Sequence, residues 1–260
     1  MKSKGPVAIV TAAGKGIGAA CAEELAQRGY RLALMSPSKA SVALAEKLGG
    51  IGLQGSVIEE ADLKRLVDMT LEKYGRIDAV VNNTGRISSI LKRYSFAMSE
   101  SLSATEISFD PDSQNTAQSL PDAAWHDALD LLFLNVVRMC RLVTDQMKKQ
   151  GGGAIVNISS MDAREPRQCY PIGILRLALH GFSKLYADRH GRDGIRINSV
   201  LPGIIENAEM SAAEVRKAIP LNRRGTVREI AKTTAFLLSE DAGYITGQNI
   251  LVDGALNRSV

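Results

Sequence analysis

The chain has 260 residues, of which 45% are hydrophobic and 23% charged, and a formal net charge of +4. This length and balance suit one α/β domain with a sizeable core, not a disordered or fibrous chain. The mild positive excess suits an anionic cofactor, and without a concentrated basic face no nucleic-acid partner is expected.

Val7–Val10 is a short apolar, β-branched run bounded by Gly5-Pro6 and a glycine-rich turn, which predicts a buried parallel strand. Alanines and leucines at helical spacing predict a helix over 17–28, stopped by Gly29. Strands are expected at 31–35, 51–54 and 77–81, with helices at 39–48 and 59–74 between them. The stretch 86–121 breaks the rhythm. It is polar and serine-rich, too long for an ordinary connection, and reads as an insertion or lid. A long helix is then expected at 122–150, a strand at 154–158, a helix at 172–189 and a strand at 195–200. A helical stretch around 210–219, a helix at 227–239 and a strand at 249–252 complete the chain.

This alternation implies an α/β fold, a parallel sheet with helices on both faces and right-handed crossovers. No composition shift marks a second domain, so 1–260 reads as one domain carrying the 86–121 insertion. No apolar run reaches membrane-spanning length, and Met1 to Pro6 is short and polar, so no membrane partner and a cytoplasmic location are expected. Cys21, Cys140 and Cys169 lack metal-ligand spacing, and no metal site is expected.

Thr11-Ala12-Ala13-Gly14-Lys15-Gly16-Ile17-Gly18 lies between the first strand and the first helix. Glycines there let the backbone approach a pyrophosphate, and the helix N-terminus offers unpaired N–H groups. The turn points to a Rossmann-type, doubly wound sheet that binds a dinucleotide.

The Thr-x-x-x-Gly-x-Gly spacing resembles the classical short-chain dehydrogenase/reductase family. Asn82-Asn83-Thr84-Gly85, Leu134-Asn135-Val136 and Ile155-Val156-Asn157-Ile158-Ser159-Ser160 agree with it. So do the segment from Gly194 to Gly203 and Tyr244-Ile245-Thr246-Gly247-Gln248. The resemblance covers nearly the whole chain and implies seven strands in the order 3-2-1-4-5-6-7. It implies hydride transfer between NADP or NAD and a carbonyl or alcohol carbon, on a small-molecule substrate such as a 3-oxoacyl thioester. It also implies a homo-oligomer, dimer or tetramer, packed through the two long helices and the last strand.

For the cofactor, the resemblance assigns Thr11, Gly14, Lys15, Gly16, Ile17 and Gly18, then Ser36 and Ser38 after the second strand. It adds Ser56 and Val57 after the third, Asn82, Thr84 and Gly85 after the fourth, and Pro202, Gly203 and Ile205 after the sixth. Ser36 stands where an acidic residue would select NAD, and Lys15 precedes Gly16 as in NADP-preferring members, so NADP is the preferred expectation and NAD the other. Asn207 stands where a threonine often bonds the carboxamide.

For the reaction, the family uses a serine, an asparagine, and a tyrosine followed four residues later by a lysine. Ser160 and Asn135 match the first two. Counting back from Gly181-Phe182-Ser183-Lys184 places the tyrosine position on Ile172 and the lysine position on Arg176; counting forward from Ser160 gives Gly173. Neither register holds a tyrosine. Arg176 keeps a cation for the cofactor ribose, and Tyr170 or Tyr94 is a candidate substitute proton donor. Asp162, Arg164, Glu165 and Arg167 crowd the same loop, as site lining or as a solvated face. The residues therefore leave two readings open: an oxidoreductase with an altered catalytic site, or a non-catalytic NAD(P)-binding protein.

Overall fold

The computed structural model describes residues 5–84, 93–94, 117–166, 171–206 and 210–259. The first half runs β1 (Val7–Val10), α1 (Gly16–Gln27), β2 (Arg31–Ser36), α2 (Ala40–Lys47), β3 (Ile51–Gln54), α3 (Glu60–Tyr74) and β4 (Ala79–Asn82). The second half runs α4 (Asp122–Leu129), a π-helical turn (Asp130–Leu134), α5 (Asn135–Lys149), β5 (Gly153–Ile158) and α6 (Ile172–His190). It ends with β6 (Ile195–Pro202), α7 (Ala212–Ala218), α8 (Val227–Leu238) and β7 (Asn249–Val252).

All seven strands are parallel, in the order β3-β2-β1-β4-β5-β6-β7. The strand alternation sorts the core into two layers. Ala8 and Val10 of β1 pack with Cys21 and Leu25 of α1 and with Ile230 and Ala235 of α8. Ile9, one residue between them, packs on the other face with Leu66 of α3, Met139 of α5 and Leu179 of α6. Such two-sided burial explains why the strands read as continuous apolar runs.

The expected helix over 122–150 is not one regular helix. Its middle, Asp130–Leu134, widens into a π-turn. Carbonyls of this wide turn receive side-chain donors: the Asn135 amide donates to the Asp130 and Leu131 oxygens at 3.3 and 2.5 Å, and Arg176 donates to the Leu132 oxygen at 3.2 Å.

Most of the 86–121 stretch lies outside the described residues, as do Gly85, Arg167, Cys169, Tyr170 and Asn207. Of that stretch, Arg93 Nη1 and Tyr94 Oη both donate to Asp127 Oδ2 of α4, at 2.7 and 3.0 Å. Cys21 and Cys140 are fully buried, and burial pushes both thiols up to about 12, so they pack as small apolar groups. Among the described residues no helix is long and apolar enough to cross a membrane, and no group of acidic, histidine or cysteine side chains is arranged to hold a metal ion.

Candidate functional site

Because the strands are parallel, their carboxyl ends share one edge of the sheet, where the turn after β1 and the residues that end β2, β4, β5 and β6 lie. The β1–α1 turn lies near the middle of that edge. Gly16 has φ +58° and open space where a side chain would stand. A Cβ on Gly18 would fall 2.4 Å from the Ala12 oxygen and 2.6 Å from Asn83 Nδ2, so only glycine fits. Ala12 itself adopts φ +47°, a left-handed conformation that costs a non-glycine residue roughly 1 kcal/mol. Asn83 holds it there: its Nδ2 donates to the Ala12 oxygen at 3.2 Å, while Thr11 Oγ1 donates to the Asn83 oxygen at 2.8 Å.

Lys15, the residue before α1, is extended and makes no side-chain cap, and the first turn carries no acidic residue. The first N–H groups of α1 therefore have no side-chain acceptor and face the turn at the positive end of the helix dipole. Cradle and donors together fit the pyrophosphate of a dinucleotide.

Toward the outer strands, Ser36 ends β2 and is buried, its hydroxyl donating to the Ser38 oxygen at 2.9 Å. A Cβ on Gly14 would lie 2.8 Å from Ser36 Oγ, so the turn packs directly on this serine. Lys15 and Lys39 are exposed at the same corner. The Ser56 N–H donates to Asp62 Oδ2 at 2.8 Å, and Val57 is buried beside it.

Asn82 and Asn83 divide their work. Asn83 serves the glycine turn, whereas the Asn82 amide donates to Asn157 Oδ1 at 2.9 Å, inside the sheet. Asn157 Nδ2 donates to Ser183 Oγ at 3.0 Å, and Ser183 Oγ donates to the Leu179 oxygen at 2.8 Å. This buried polar chain ties β4 and β5 to α6, the helix that carries Arg176, and leaves no amide unsatisfied at the crossing. The Asn-Asn pair was visible in the sequence. Which amide would brace the turn was not, because that depends on strand pleat and on where β4 ends.

At the end of β5, Ser160 Oγ donates to Asp162 Oδ2 at 2.7 Å and accepts from the Asp162 N–H at 3.2 Å. Ser159 lies beside it, its hydroxyl 2.8 Å from His180 Nε2. Burial, then the charges of Arg176 and Arg164, pull His180 down to about 4, so its ring is neutral at pH 7. Arg176 is 6% exposed. Its Nη2 donates to Thr84 Oγ1, its Nη1 to the Leu132 oxygen at 3.2 Å, and its Nε has no partner among the described residues. Burial lowers Arg176 to about 10, yet it remains a cation at pH 7. Thr84, Arg176 and the π-turn are thus brought together. Ile172 opens α6 and packs with Leu120, Ala124, Ala128, Leu132 and Leu175.

Beyond β6, Gly203 passes so close to Asp253 that a Cβ would lie 2.6 Å from its Cα, and its N–H donates to the Val252 oxygen at 3.0 Å. Pro202 ends β6, and Ile205, buried, bridges to Gly225. This closes the strand-end edge on its β6–β7 side.

Comparison with known proteins agrees with this geometry. Residues 6–219 match the family described as short chain dehydrogenase. The chain is 31% identical to dehydrogenase/reductase SDR family member 4 of Caenorhabditis elegans, covering 97% of this chain and 95% of that one. It is 29% identical to the 3-oxoacyl-[acyl-carrier-protein] reductase of Escherichia coli (strain K12), covering 98% and 99%. A solved 7 alpha-hydroxysteroid dehydrogenase, complexed with NADH and 7-oxo glycochenodeoxycholic acid, superposes with a TM-score of 0.79 at 25% identity, over 97% of this chain and 94% of that one. The chain belongs to the short-chain dehydrogenase family of NAD(P)-dependent oxidoreductases.

Proposed function

We propose that the chain reduces or oxidises a carbonyl/alcohol pair of the 3-oxoacyl thioester class with NADP(H), by a route that does not use the family tyrosine. The nicotinamide of the bound dinucleotide supplies or takes the hydride. The observation that carries the reading is the β1–α1 turn. An uncapped helix N-terminus, a Gly18 that admits no side chain and a left-handed Ala12 held by Asn83 together fit a pyrophosphate. NADP is preferred because the buried Ser36 offers no carboxylate to repel a 2′-phosphate, and Lys15 and Lys39 are exposed at that corner.

Around the reacting end, Ser160 and its carboxylate partner act on the substrate oxygen, and Arg176 holds a cation beside Thr84 for the cofactor ribose. Asn135 braces the π-turn whose Leu132 carbonyl accepts from Arg176. The substrate class follows the Escherichia coli relative, which is a 3-oxoacyl reductase by name. We also assign a homo-oligomeric state, packed through α5 and α6 and the β7 edge. Ile174, Leu177 and Leu185 of α6 are exposed and apolar, as an interface helix requires.

A second reading has its own observation. Ile172 fills the tyrosine position with a side chain committed to an apolar cluster, which suits a protein that binds NAD(P) without turning it over. Fluorescence titration with NADPH and NADH, followed by an absorbance assay with 3-oxobutanoyl-CoA and a panel of ketones, separates the two. Tight NADPH binding with turnover of at least one carbonyl is the expected result. Binding without turnover favours the second reading, and absence of binding overturns both.

A further inference from the structure

We propose that Asp162 is the proton acceptor of the reaction, working through the hydroxyl of Ser160. The inference rests on the oxidoreductase reading above and names the group that takes the tyrosine's place.

Three features support it. The single proton of the Ser160 hydroxyl is directed at Asp162 Oδ2, 2.7 Å away, while one lone pair accepts from the Asp162 N–H. One lone pair is left, so with Asp162 ionised the serine can only accept from a substrate hydroxyl. That polarity matches an alcohol about to be oxidised. Secondly, Asp162 lies against the first turn of α6: a Cβ on Gly173 would fall 2.7 Å from the Asp162 oxygen. That oxygen is the backbone carbonyl, and Gly173 is the neighbour of Ile172, so the Asp162 main chain packs against the start of the helix where the family tyrosine is expected. Thirdly, the other proton carriers described nearby are committed elsewhere. His180 is bonded to Ser159 and neutral, and the Tyr94 hydroxyl donates to Asp127.

Charged groups surround this turn on each packed segment. Arg164 and Glu165 lie on its own loop, and Arg176 and His180 on α6. On the C-terminal segment, Arg258 donates its N–H to Glu165 Oε2 at 3.2 Å and Ser259 accepts from Arg164 at 3.1 Å.

The step balances as follows. The substrate O–H bond breaks and its proton passes to Ser160 Oγ, as the serine's own proton passes to Asp162. Oxidised NAD(P), when bound, would take the carbon's hydrogen with its bonding pair as the C=O bond forms. In the reverse direction protonated Asp162 returns the proton through Ser160 to the carbonyl oxygen.

The test uses the full chain and the variants Asp162→Asn, Asp162→Glu and Ser160→Ala. NADPH affinity, measured by fluorescence, stays within about twofold in all three, which shows that each is folded. In the oxidation of 3-hydroxybutanoyl-CoA with oxidised NADP, Asp162→Asn loses on the order of 100-fold in kcat, and Ser160→Ala a similar factor. Their combination loses no more than either alone, because the pair acts as a unit. Asp162→Glu regains part of the rate with a displaced pH profile. An Asp162→Asn variant with wild-type kcat and pH profile overturns the proposal.

A second readout needs no turnover. In protein labelled with carboxyl carbon-13 aspartate, the signal lost in Asp162→Asn titrates at higher pH in Ser160→Ala than in wild type, since the donated hydrogen bond is gone. Identical titration in the two proteins overturns the relay. If wild type binds NADPH but turns over no carbonyl, the oxidoreductase reading fails by itself, and the carbon-13 titration still decides whether serine and carboxylate are coupled.

Discussion

At the β1–α1 turn, the groups we assign to a dinucleotide are backbone N–H groups, and the side chains there, Thr11 and Asn83, serve to hold backbone in place. At the β5–α6 end, the groups we assign to the reaction are side chains: Ser160, Asp162 and Arg176. A site made of backbone is bound to its glycines and tolerates little else. A site made of side chains can be rewritten residue by residue while the sheet and helices beneath it stay as they are. Ile172 and Arg176 stand on a helix that is tied to the sheet by the hydrogen-bonded chain Asn82–Asn157–Ser183.

Four substitutions break or sharpen that contrast. The largest effect is expected at the backbone-built end. Gly18→Val forces a side chain into the Ala12 oxygen and the Asn83 amide, and NADPH affinity should fall at least about 100-fold in a fluorescence titration. A loss below tenfold would mean the turn yields, and the contrast would weaken.

Next comes pH. His180 has a folded pKa of about 4, below its unfolded value, so the unfolded chain binds the extra proton first. Stability is therefore full above about pH 6.5 and declines as pH falls toward 4, by roughly 2 kcal/mol. Urea unfolding at pH 7.5 and 4.5 measures this, and in His180→Leu the pH-dependent part should shrink by that amount.

Arg176→Met should separate function from stability. Removing a buried guanidinium with an unpartnered Nε is expected to stabilise the fold by about 1–2 kcal/mol while weakening cofactor binding several-fold. A destabilised variant would show that the Thr84 and Leu132 bonds outweigh the cost of burying the charge. The smallest effect is at Ala12→Gly. Relief of its left-handed conformation should raise stability by about 0.5–1 kcal/mol, read as a small increase in Tm with NADPH affinity unchanged.

Much of the architecture was legible in the sequence for physical reasons. Two-sided burial makes strands such as Val7–Val10 wholly apolar, and Gly29 and Gly75, both at positive φ, mark helix ends. The cofactor turn was legible because its glycines have few substitutes. Less was legible where the outcome depends on three-dimensional phase. The Asn82 amide is turned into the sheet while the Asn83 amide braces the turn, a division that a run of two asparagines does not reveal. Asp162 stood out only as one of several loop charges, because its pairing with Ser160 depends on the short 3₁₀ turn after β5. The π-turn was hidden in a run that satisfies helical spacing. One signal was available: apolar residues at 124, 128, 132, 136 and 140 recur every four residues, and each such step overshoots a 3.6-residue turn by about 40°.

The wide turn at Asp130–Leu134 takes back that overshoot. One extra residue in a single turn re-indexes the helix by about 100°, so α4 and α5 are two consecutive helices clocked differently. The consequence is a mechanical coupling of length to orientation. Deleting one residue from 130–134 would keep a continuous helix and yet rotate the Leu132 carbonyl out from under Arg176. In an alignment of related chains, a single gap at this point would therefore mark a change in how the reaction end is clamped, where a gap of the same size in a surface loop would mark nothing.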